Sequence, residues 1–436
     1  MDRIVDLIRS KRDSEELSLE DFERLINGYT LGEIADAQMG ALLMAGVCNG
    51  FSEGEAVHLT SAMLRCGERL DLADLGKMKV DCYSTGGVGD KTALIAAPIA
   101  AAAGVAVPMI VERGSDYIIG TLEKLQSIPN FNSALEVTDF SELVSEHGLA
   151  FARQSNSLAP AEKRLYDLRN ETGTVESLPL IAASAMSKKL SENLNGLIVD
   201  VKVSRGGLVS GRTDARRLAQ QMINIGRRLD VKMQALLTDM DQPLGYTVGN
   251  ALEIMEVAQT LQGQGPPDVT GLSLQVAARM IFLADTTVSF DSAYEKAESV
   301  ITDGSALTVL GNVIEAQGGD KEVLVDFERL PNPGGAIAIT SPRDGFVSRI
   351  NAEDIGRAAV LLGAGRTNPE DEIDPAVGVV LEAKVGFPVL NGTRLCALYF
   401  NDEANLEEAQ QLVEDAFHIS AKQPDQRNLV LDLIQG

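Results

Sequence analysis

The stretch DCYSTGGVGDKT, residues 81–92, decides how this chain folds. The apolar residue Val80 directly precedes it, and an alanine-rich segment with helical spacing follows it. Glycines permit a tight turn between a strand and a helix, and the free amides at the start of that helix form an anion-binding pocket. The stretch therefore predicts a strand–loop–helix unit with a ligand at the loop, although a plain turn without a ligand would also explain it.

Outward from this loop, short apolar runs alternate with helical stretches, which is typical of βαβ units around a parallel sheet. Further strands are predicted at Gly196–Val203 and Val231–Thr238. Residues 1–65 have the apolar spacing of helices almost throughout, and this spacing returns after residue 159. From residue 331, glycine and proline become denser and alternating strand-like stretches follow.

These patterns predict an α/β protein in three parts, and the length of 436 residues exceeds what one core usually holds. A small all-helical domain comprises residues 1–65 and 159–192. A larger α/β domain with a mostly parallel central sheet comprises residues 70–158 and 193–330. Residues 331–436 form a C-terminal mixed α/β region.

Composition excludes several classes of protein. Hydrophobic residues make up 45% of the chain and charged residues 23%, which is a globular composition rather than a disordered one. The formal net charge of −25 repels polyanions, so no nucleic-acid partner is expected.

The four cysteines contain no CxxC pair, so neither a disulfide framework nor a zinc site is indicated, and a cytoplasmic location fits best. The first residues lack the apolar core of a signal peptide. The uncharged run Thr92–Val111 is interrupted by Pro98, Gly104 and Pro108, so we interpret it as a buried helix and strand rather than a membrane span.

The glycine loop resembles that of the thymidine and pyrimidine nucleoside phosphorylases, which reads Asp-Lys-His-Ser-Thr-Gly-Gly-Val-Gly-Asp. The resemblance runs nearly end to end. Other matching stretches are SLAPAEKRLYDLRNETGTVESLPLIAASAMSKKL, LLTDMDQPLGYTVGNALE and LLGAGRTNPEDEIDPAVG. It implies an active site in the cleft between the helical and α/β domains, a pyrimidine nucleoside or base as ligand, and a homodimer.

The base-binding residues of that family are retained. The resemblance places the pyrimidine edge against Arg169, Ser184 and Lys188, with Tyr166 beside the base. Ser184 and Lys188 are four residues apart in a helical stretch and therefore share a face, from which Lys188 would donate to a carbonyl oxygen. A capping serine with a solvated lysine is the alternative.

The phosphate side is altered. Cys82 stands where the family has a phosphate-binding lysine, Tyr83 where it has a histidine, and Ala93 where it has a second serine, whereas Ser84 matches. In the second phosphate segment, Ser-Gly-Arg-Gly-x-Gly-His-Thr-Gly-Gly-Thr, only four residues survive here. The candidate anion and sugar loop comprises Cys82, Ser84, Gly86, Gly87, Lys91, Arg113 and Thr121.

Three phosphate contacts are lost, at Cys82, Ala93 and Val111. At about 1–2 kcal/mol for each of the two neutral contacts and about 1–3 kcal/mol for the charged one, they sum to about 3–7 kcal/mol, or roughly two to five decades in affinity. Two added carboxylates, Glu112 and Asp116, oppose an anion further. Ordinary phosphorolysis is therefore doubtful.

The added carboxylates are catalytic candidates. Glu112 or Asp116 would stabilise an oxocarbenium-like state or activate water, while the phenol of Tyr83 or Tyr117 would donate to the departing base. Cys82 at a helix start is either a nucleophile or a small filler.

A structural alternative exists for the first carboxylate. Glu112 would then only pair with Arg113 or Arg205.

No cofactor is expected to be required, but a potassium ion is possible. In the resembled family a monovalent cation lies between the glycine loop and a segment matching Leu244, Thr247 and Glu256. Lys91 in the loop would place its own ammonium near that pocket.

The leading hypothesis is an enzyme that cleaves or transfers the N-glycosidic bond of a pyrimidine nucleoside, with water or another nucleophile in place of phosphate. Orthodox phosphorolysis with an unusual anion site is one alternative. A non-catalytic pyrimidine-binding or nucleotide-binding relative is the other.

Overall fold

The computed structural model describes residues 3–155, 157–204, 209, 211–368 and 371–436. Helices and strands alternate over most of this length. The α-helices are α1 (Ile4–Arg12), α2 (Leu19–Thr30), α3 (Asp36–Asn49), α4 (Glu53–Arg65), α5 (Thr92–Ala102), α6 (Thr121–Gln126), α7 (Val137–His147), α8 (Pro160–Thr172), α9 (Leu178–Ser191), α10 (Arg212–Arg228), α11 (Asn250–Leu261), α12 (Pro267–Ala284), α13 (Phe290–Thr302), α14 (Ser305–Ala316), α15 (Ala352–Ala359) and α16 (Leu406–Ala416).

The strands form one mostly parallel sheet, one parallel pair and two antiparallel sheets. They are β1 (Val80–Ser84), β2 (Val107–Val111), β3 (Leu149–Arg153), β4 (Gly196–Val203), β5 (Lys232–Asp239), β6 (Thr247–Gly249), β7 (Gly335–Thr340), β8 (Gly345–Ile350), β9 (Gly378–Leu381), β10 (Pro388–Val389), β11 (Arg394–Phe400), β12 (Phe417–Ser420) and β13 (Val430–Gln435).

The helical domain consists of α1–α4 together with α8 and α9, which pack on one shared apolar core. Ser18 and Ser52 begin α2 and α4 with capping boxes, each accepting a hydrogen bond from the amide of an acidic residue three positions later. The two segments predicted from helical spacing therefore form one layer despite about ninety intervening residues.

The central sheet has the order β1-β4-β5-β13, with β1, β4 and β5 parallel. The parallel pair β2-β3 lies beside β1, joined through a bridge between Lys79 and Ala106. The uncharged run Thr92–Val111 divides into α5 and β2, as predicted. No helix among the described residues combines the length and the hydrophobicity that crossing a bilayer requires.

The C-terminal region exchanges strands with the α/β domain. Its two antiparallel sheets have the orders β6-β9-β11-β7 and β10-β8-β12. The short strand β6 comes from the α/β domain, while β13 leaves the C-terminal region and pairs antiparallel with β5. The boundary predicted at residue 331 is therefore crossed by a strand in each direction.

One buried lysine ties the helical layer to the sheet. The Nζ of Lys189 on α9 lies 2.6 Å from Oδ2 of Asp81 on β1, 3.0 Å from Oε1 of Glu192 and 2.9 Å from the carbonyl oxygen of Ile110 on β2. Burial lowers the pKa of Lys189, but the charges of Asp81 and Glu192 outweigh it and raise the pKa above its ordinary value. The ammonium therefore stays charged and joins three elements.

Removing this ammonium leaves two buried carboxylates without their cation. We expect Lys189→Met to lower the free energy of unfolding by about 3–5 kcal/mol. Urea unfolding followed by circular dichroism measures the loss. Lys296→Met, at an exposed lysine on α13, is the matched control and should stay within about 0.5 kcal/mol of the native chain. Equal midpoints for both variants would contradict the role given to Lys189.

Candidate active site

The glycine loop closes on itself through a serine–aspartate contact. Gly86 and Gly89 have φ values of +89° and +71°, and a Cβ on Gly89 would lie 2.6 Å from the carbonyl oxygen of Leu244. The hydroxyl of Ser84 donates to Oδ2 of Asp90 at 2.6 Å and accepts from the amide of Gly86. An anion that uses the Ser84 hydroxyl must therefore displace a carboxylate.

The buried ammonium groups beneath this loop are already paired. Lys202 lies 2.6 Å from Oδ2 of Asp200 and 3.4 Å from Oδ2 of Asp90, and Lys124 lies 2.8 Å from Oε2 of Glu253. Burial alone would raise the pKa of Asp90, but Lys202 and the Ser84 hydroxyl lower it below its ordinary value. Asp90 is therefore ionised beside Lys202, and an aspartate also ends the loop of the resembled family.

The alternation of β1 sends its two altered side chains to opposite faces. Cys82 packs into the sheet core, and burial followed by the charge of Asp81 raises the pKa of its thiol. Such a thiol is a filler and not an activated nucleophile. Tyr83 packs on the other face, where burial and then the charge of Glu112 raise the pKa of its phenol, so the phenol remains a hydrogen-bond donor.

The predicted base-binding residues lie together on α8 and α9. Ser184 and Lys188 are one turn apart, and both are mostly buried. Lys188 Nζ lies 2.5 Å from Oε1 of Glu112 and 3.3 Å from Oε1 of Glu162, while the Ser184 hydroxyl donates to Glu162 at 2.6 Å. The proposed partners of a pyrimidine therefore already face carboxylates.

Arg169 is 3% exposed and holds the turn between α8 and α9. Its guanidinium donates to the carbonyl oxygens of Thr174, Val175 and Leu180. With Ser184 it also lines a small cavity. Tyr166 is half-exposed and lies one turn earlier on α8. Its phenol is near enough to Arg169 and Tyr83 to affect the pKa of each.

Sequence reasoning missed Glu162, which is 2% exposed and organises this site. Its carboxylate accepts from Ser184 and from the side-chain amide of Gln154. The signal was available, because positions 162, 166 and 169 have the spacing of one helix face.

The two added carboxylates point to different parts of the molecule. Glu112 follows β2, is 38% exposed in its side chain and pairs with Lys188 of α9. Asp116, with a φ of +53° and a side chain 63% exposed, instead lies 3.7 Å from Arg357 of the C-terminal region. Of the two catalytic candidates, Asp116 therefore lies away from the base-binding residues, and its assignment as a catalytic carboxylate is corrected. Arg205 lies outside the described residues.

Tyr117 also belongs to the C-terminal side. Its ring packs in the core of that region, with the guanidinium of Arg357 5.5 Å from the ring centroid. Burial, followed by the charges of Glu353 and Asp116, raises the pKa of Tyr117 to about 12. Tyr117 is therefore set aside as the donor to the departing base, and Tyr83 remains.

A cavity of about 160 Å³ opens between the glycine loop and the C-terminal region. Gly86, Gly87 and Tyr117 line one side, and Arg349 and Glu353 line the other.

The remaining anion-loop candidates differ in exposure. Arg113 is exposed, Thr121 begins α6, and Val111 is a buried apolar residue at the end of β2. Arg113 and Thr121 carry side-chain donors, whereas Val111 carries none.

Lys91 does not face the predicted anion site. It is 1% exposed, and its Nζ lies 3.1 Å from the carbonyl oxygens of Leu244 and Thr247 and 2.5 Å from Oε2 of Glu256. Its assignment to the anion loop is corrected, because the ammonium points to the three residues predicted as cation ligands.

Three family models match the chain in order. "Glycosyl transferase family, helical bundle domain" matches residues 5–67, "Glycosyl transferase family, a/b domain" matches residues 76–307, and "Pyrimidine nucleoside phosphorylase C-terminal domain" matches residues 346–420. The helical-bundle model matches the first helical segment, and the range of the a/b model includes α8 and α9 of the helical layer.

Two relatives that match over nearly the whole chain are both pyrimidine-nucleoside phosphorylases. The pyrimidine-nucleoside phosphorylase of Geobacillus stearothermophilus is 42% identical over 432 residues, covering 99% of this chain and 100% of the relative. That of Bacillus subtilis (strain 168) is 42% identical over 420 residues, covering 96% and 97%.

Among solved structures, anthranilate phosphoribosyltransferase from Thermus thermophilus matches with a TM-score of 0.61 and 17% identity, covering 72% of this chain and 100% of that chain. This likeness shows the fold alone. The family models and the whole-length relatives together show that this chain belongs to the pyrimidine nucleoside phosphorylase family.

Proposed function

We propose that this enzyme cleaves the N-glycosidic bond of a pyrimidine nucleoside or close analogue and that water, or another nucleophile, replaces phosphate as the acceptor. One observation carries the proposal: the Glu112 carboxylate lies 2.5 Å from the Lys188 ammonium across the cleft.

Base recognition rests on the helical layer. Lys188 and the Ser184 hydroxyl would turn from Glu112 and Glu162 to the polar edge of the pyrimidine, with Arg169 beside them. Burial lowers the pKa of Lys188, but Glu112 and Glu162 raise it above its ordinary value, so Lys188 remains a charged donor. A charged donor to a carbonyl oxygen also stabilises the departing base as negative charge develops there.

Substrate binding would release the carboxylate. When a base oxygen takes the Lys188 ammonium, Glu112 loses its partner while its side chain remains 38% exposed to water. A carboxylate in that state can accept a proton from water beside the sugar. The same ion pair would thus hold the catalytic group back until the base is in place.

The bond changes balance without an additional reactant. Water transfers a proton to Glu112 as its oxygen bonds to the anomeric carbon, and the pair of electrons in the C–N bond leaves with the base. The base is then protonated by Glu112 or solvent, and the products are a free pentose and a pyrimidine. The Tyr83 phenol would donate to the departing base.

Phosphate is disfavoured by what surrounds the loop. The Ser84 hydroxyl donates a hydrogen bond to Asp90, and Lys202 and Lys124 form ion pairs with carboxylates. Cys82 and Val111 present no strong donor.

Orthodox phosphorolysis is the second candidate, supported by the name of relatives 42% identical to this chain and by the retained Arg113, Gly86 and Gly87. A non-catalytic pyrimidine-binding or nucleotide-binding relative is the third. It is supported by the carboxylates that already occupy Ser184 and Lys188.

A homodimer remains part of the proposal. The helical layer exposes the large apolar side chains of Val5, Leu31, Met44 and Val47, which a second copy would cover. The acidic composition supports a small-molecule ligand rather than nucleic acid.

The first test follows base release from uridine and thymidine with and without phosphate. We expect equal rates, because the acceptor does not use the anion loop. A strict phosphate requirement would contradict the altered acceptor and favour phosphorolysis. No release combined with measurable uracil binding would favour the non-catalytic candidate.

The second test separates the two added carboxylates. We expect Glu112→Gln to lower kcat for base release about 10²–10³-fold while tightening uracil binding, since Lys188 is freed from its carboxylate. Asp116→Asn on the same loop is the matched comparison, and we expect it to change kcat little because Asp116 faces Arg357. Equal losses in both variants would contradict the role given to Glu112.

A further inference from the structure

The segment of residues 243–247, between β5 and α11, is bound by the ammonium group of Lys91. This ammonium occupies the position where the family resemblance places a monovalent cation. Lys91 Nζ contacts the carbonyl oxygens of Leu244 and Thr247, both at 3.1 Å, and Oε2 of Glu256 at 2.5 Å. The side chain of Lys91 has no exposed surface. An ammonium has three N–H donors, and these three oxygens use all of them.

A second lysine holds the alternate carbonyl groups of the same segment. Lys384 Nζ lies 2.5 Å from the carbonyl oxygen of Pro243, 2.7 Å from that of Gly245 and 2.9 Å from Oδ2 of Asp268. Lys91 comes from the glycine loop and Lys384 from the C-terminal region. Two buried lysines, one from each domain, therefore bind the carbonyl groups of this segment.

Carboxylates neutralise the charge of Lys91, and the space around its ammonium is filled. Oε2 of Glu253 lies 3.8 Å from Lys91 Nζ, in addition to the contact with Glu256. Burial lowers the pKa of Lys91, but Glu256 and Glu253 raise it above its ordinary value. A Cβ on Gly245 would already lie 2.1 Å from Oε2 of Glu256 and 3.1 Å from Lys91 Nζ.

These residues do not fit a potassium ion. Leu244, Thr247 and Glu256, the expected ligands, all bind Lys91 Nζ, so a metal ion would have to share their oxygens with a like charge.

We infer that the side-chain ammonium of Lys91 takes the place of a monovalent metal ion and makes this enzyme independent of potassium. It anchors the glycine loop to residues 243–247 at every ionic composition. The inference does not depend on which acceptor the enzyme uses.

The native chain gives the first measurement. After dialysis against tetramethylammonium chloride, we expect no stoichiometric potassium by elemental analysis, and the same Tm in tetramethylammonium chloride and in potassium chloride at equal ionic strength. Bound potassium, or a Tm that rises only with potassium, would overturn the inference even if every variant failed to fold.

A variant gives the second measurement. We expect Lys91→Ala to lower the Tm and to regain part of the loss, by a few degrees, in potassium chloride but not in tetramethylammonium chloride, because the vacated oxygens would bind the ion. Lys321→Ala, at an exposed lysine paired with Glu315, is the control and should behave as the native chain in both salts. A Lys91→Ala variant with an unchanged Tm would contradict the anchoring role.

Discussion

Glu112 and Lys188 face each other across the cleft, one from the end of β2 and the other from α9. A charged group that leaves water must be paired, and Lys188 is among the buried residues of the chain. The pair therefore sets what can enter the cleft. A ligand that takes the Lys188 ammonium must compensate for the loss of its contact with Glu112.

Two adjacent lysines on α9, Lys188 and Lys189, have different roles. Lys189 points into the protein, where Asp81 and Glu192 fix it between helix and sheet. Lys188 points to the cleft, where its partners Glu112 and Glu162 come from two domains. Negative charge in this chain is thus partly internal, since buried carboxylates neutralise buried ammonium groups close to the site.

Local spacing predicted where the glycine loop and the α9 residues lie, whereas the roles given to them come from the family resemblance. The loop at residues 81–92 lies between β1 and α5, and Ser184 and Lys188 share a face of α9. The direction of Asp116 was not predictable. Its positive φ turns the loop toward Arg357, which is about 240 residues away in sequence, and no local pattern encodes that contact.

The exchange of strands between the α/β domain and the C-terminal region could not be predicted from local sequence patterns either. β13 pairs with β5, and β6 pairs with β9, so each pairing depends on the packing of complete domains. Glu162 escaped notice for a different reason. A glutamate in a polar helix resembles a solvated residue until its neighbours, Ser184 and Lys188, are known.

The most direct measurement of the central claim identifies the sugar product. The native enzyme is incubated with uridine in saturating phosphate, and the products are separated and identified by mass spectrometry. The account predicts free pentose as the main sugar product even with phosphate present. Pentose 1-phosphate as the main product would contradict it.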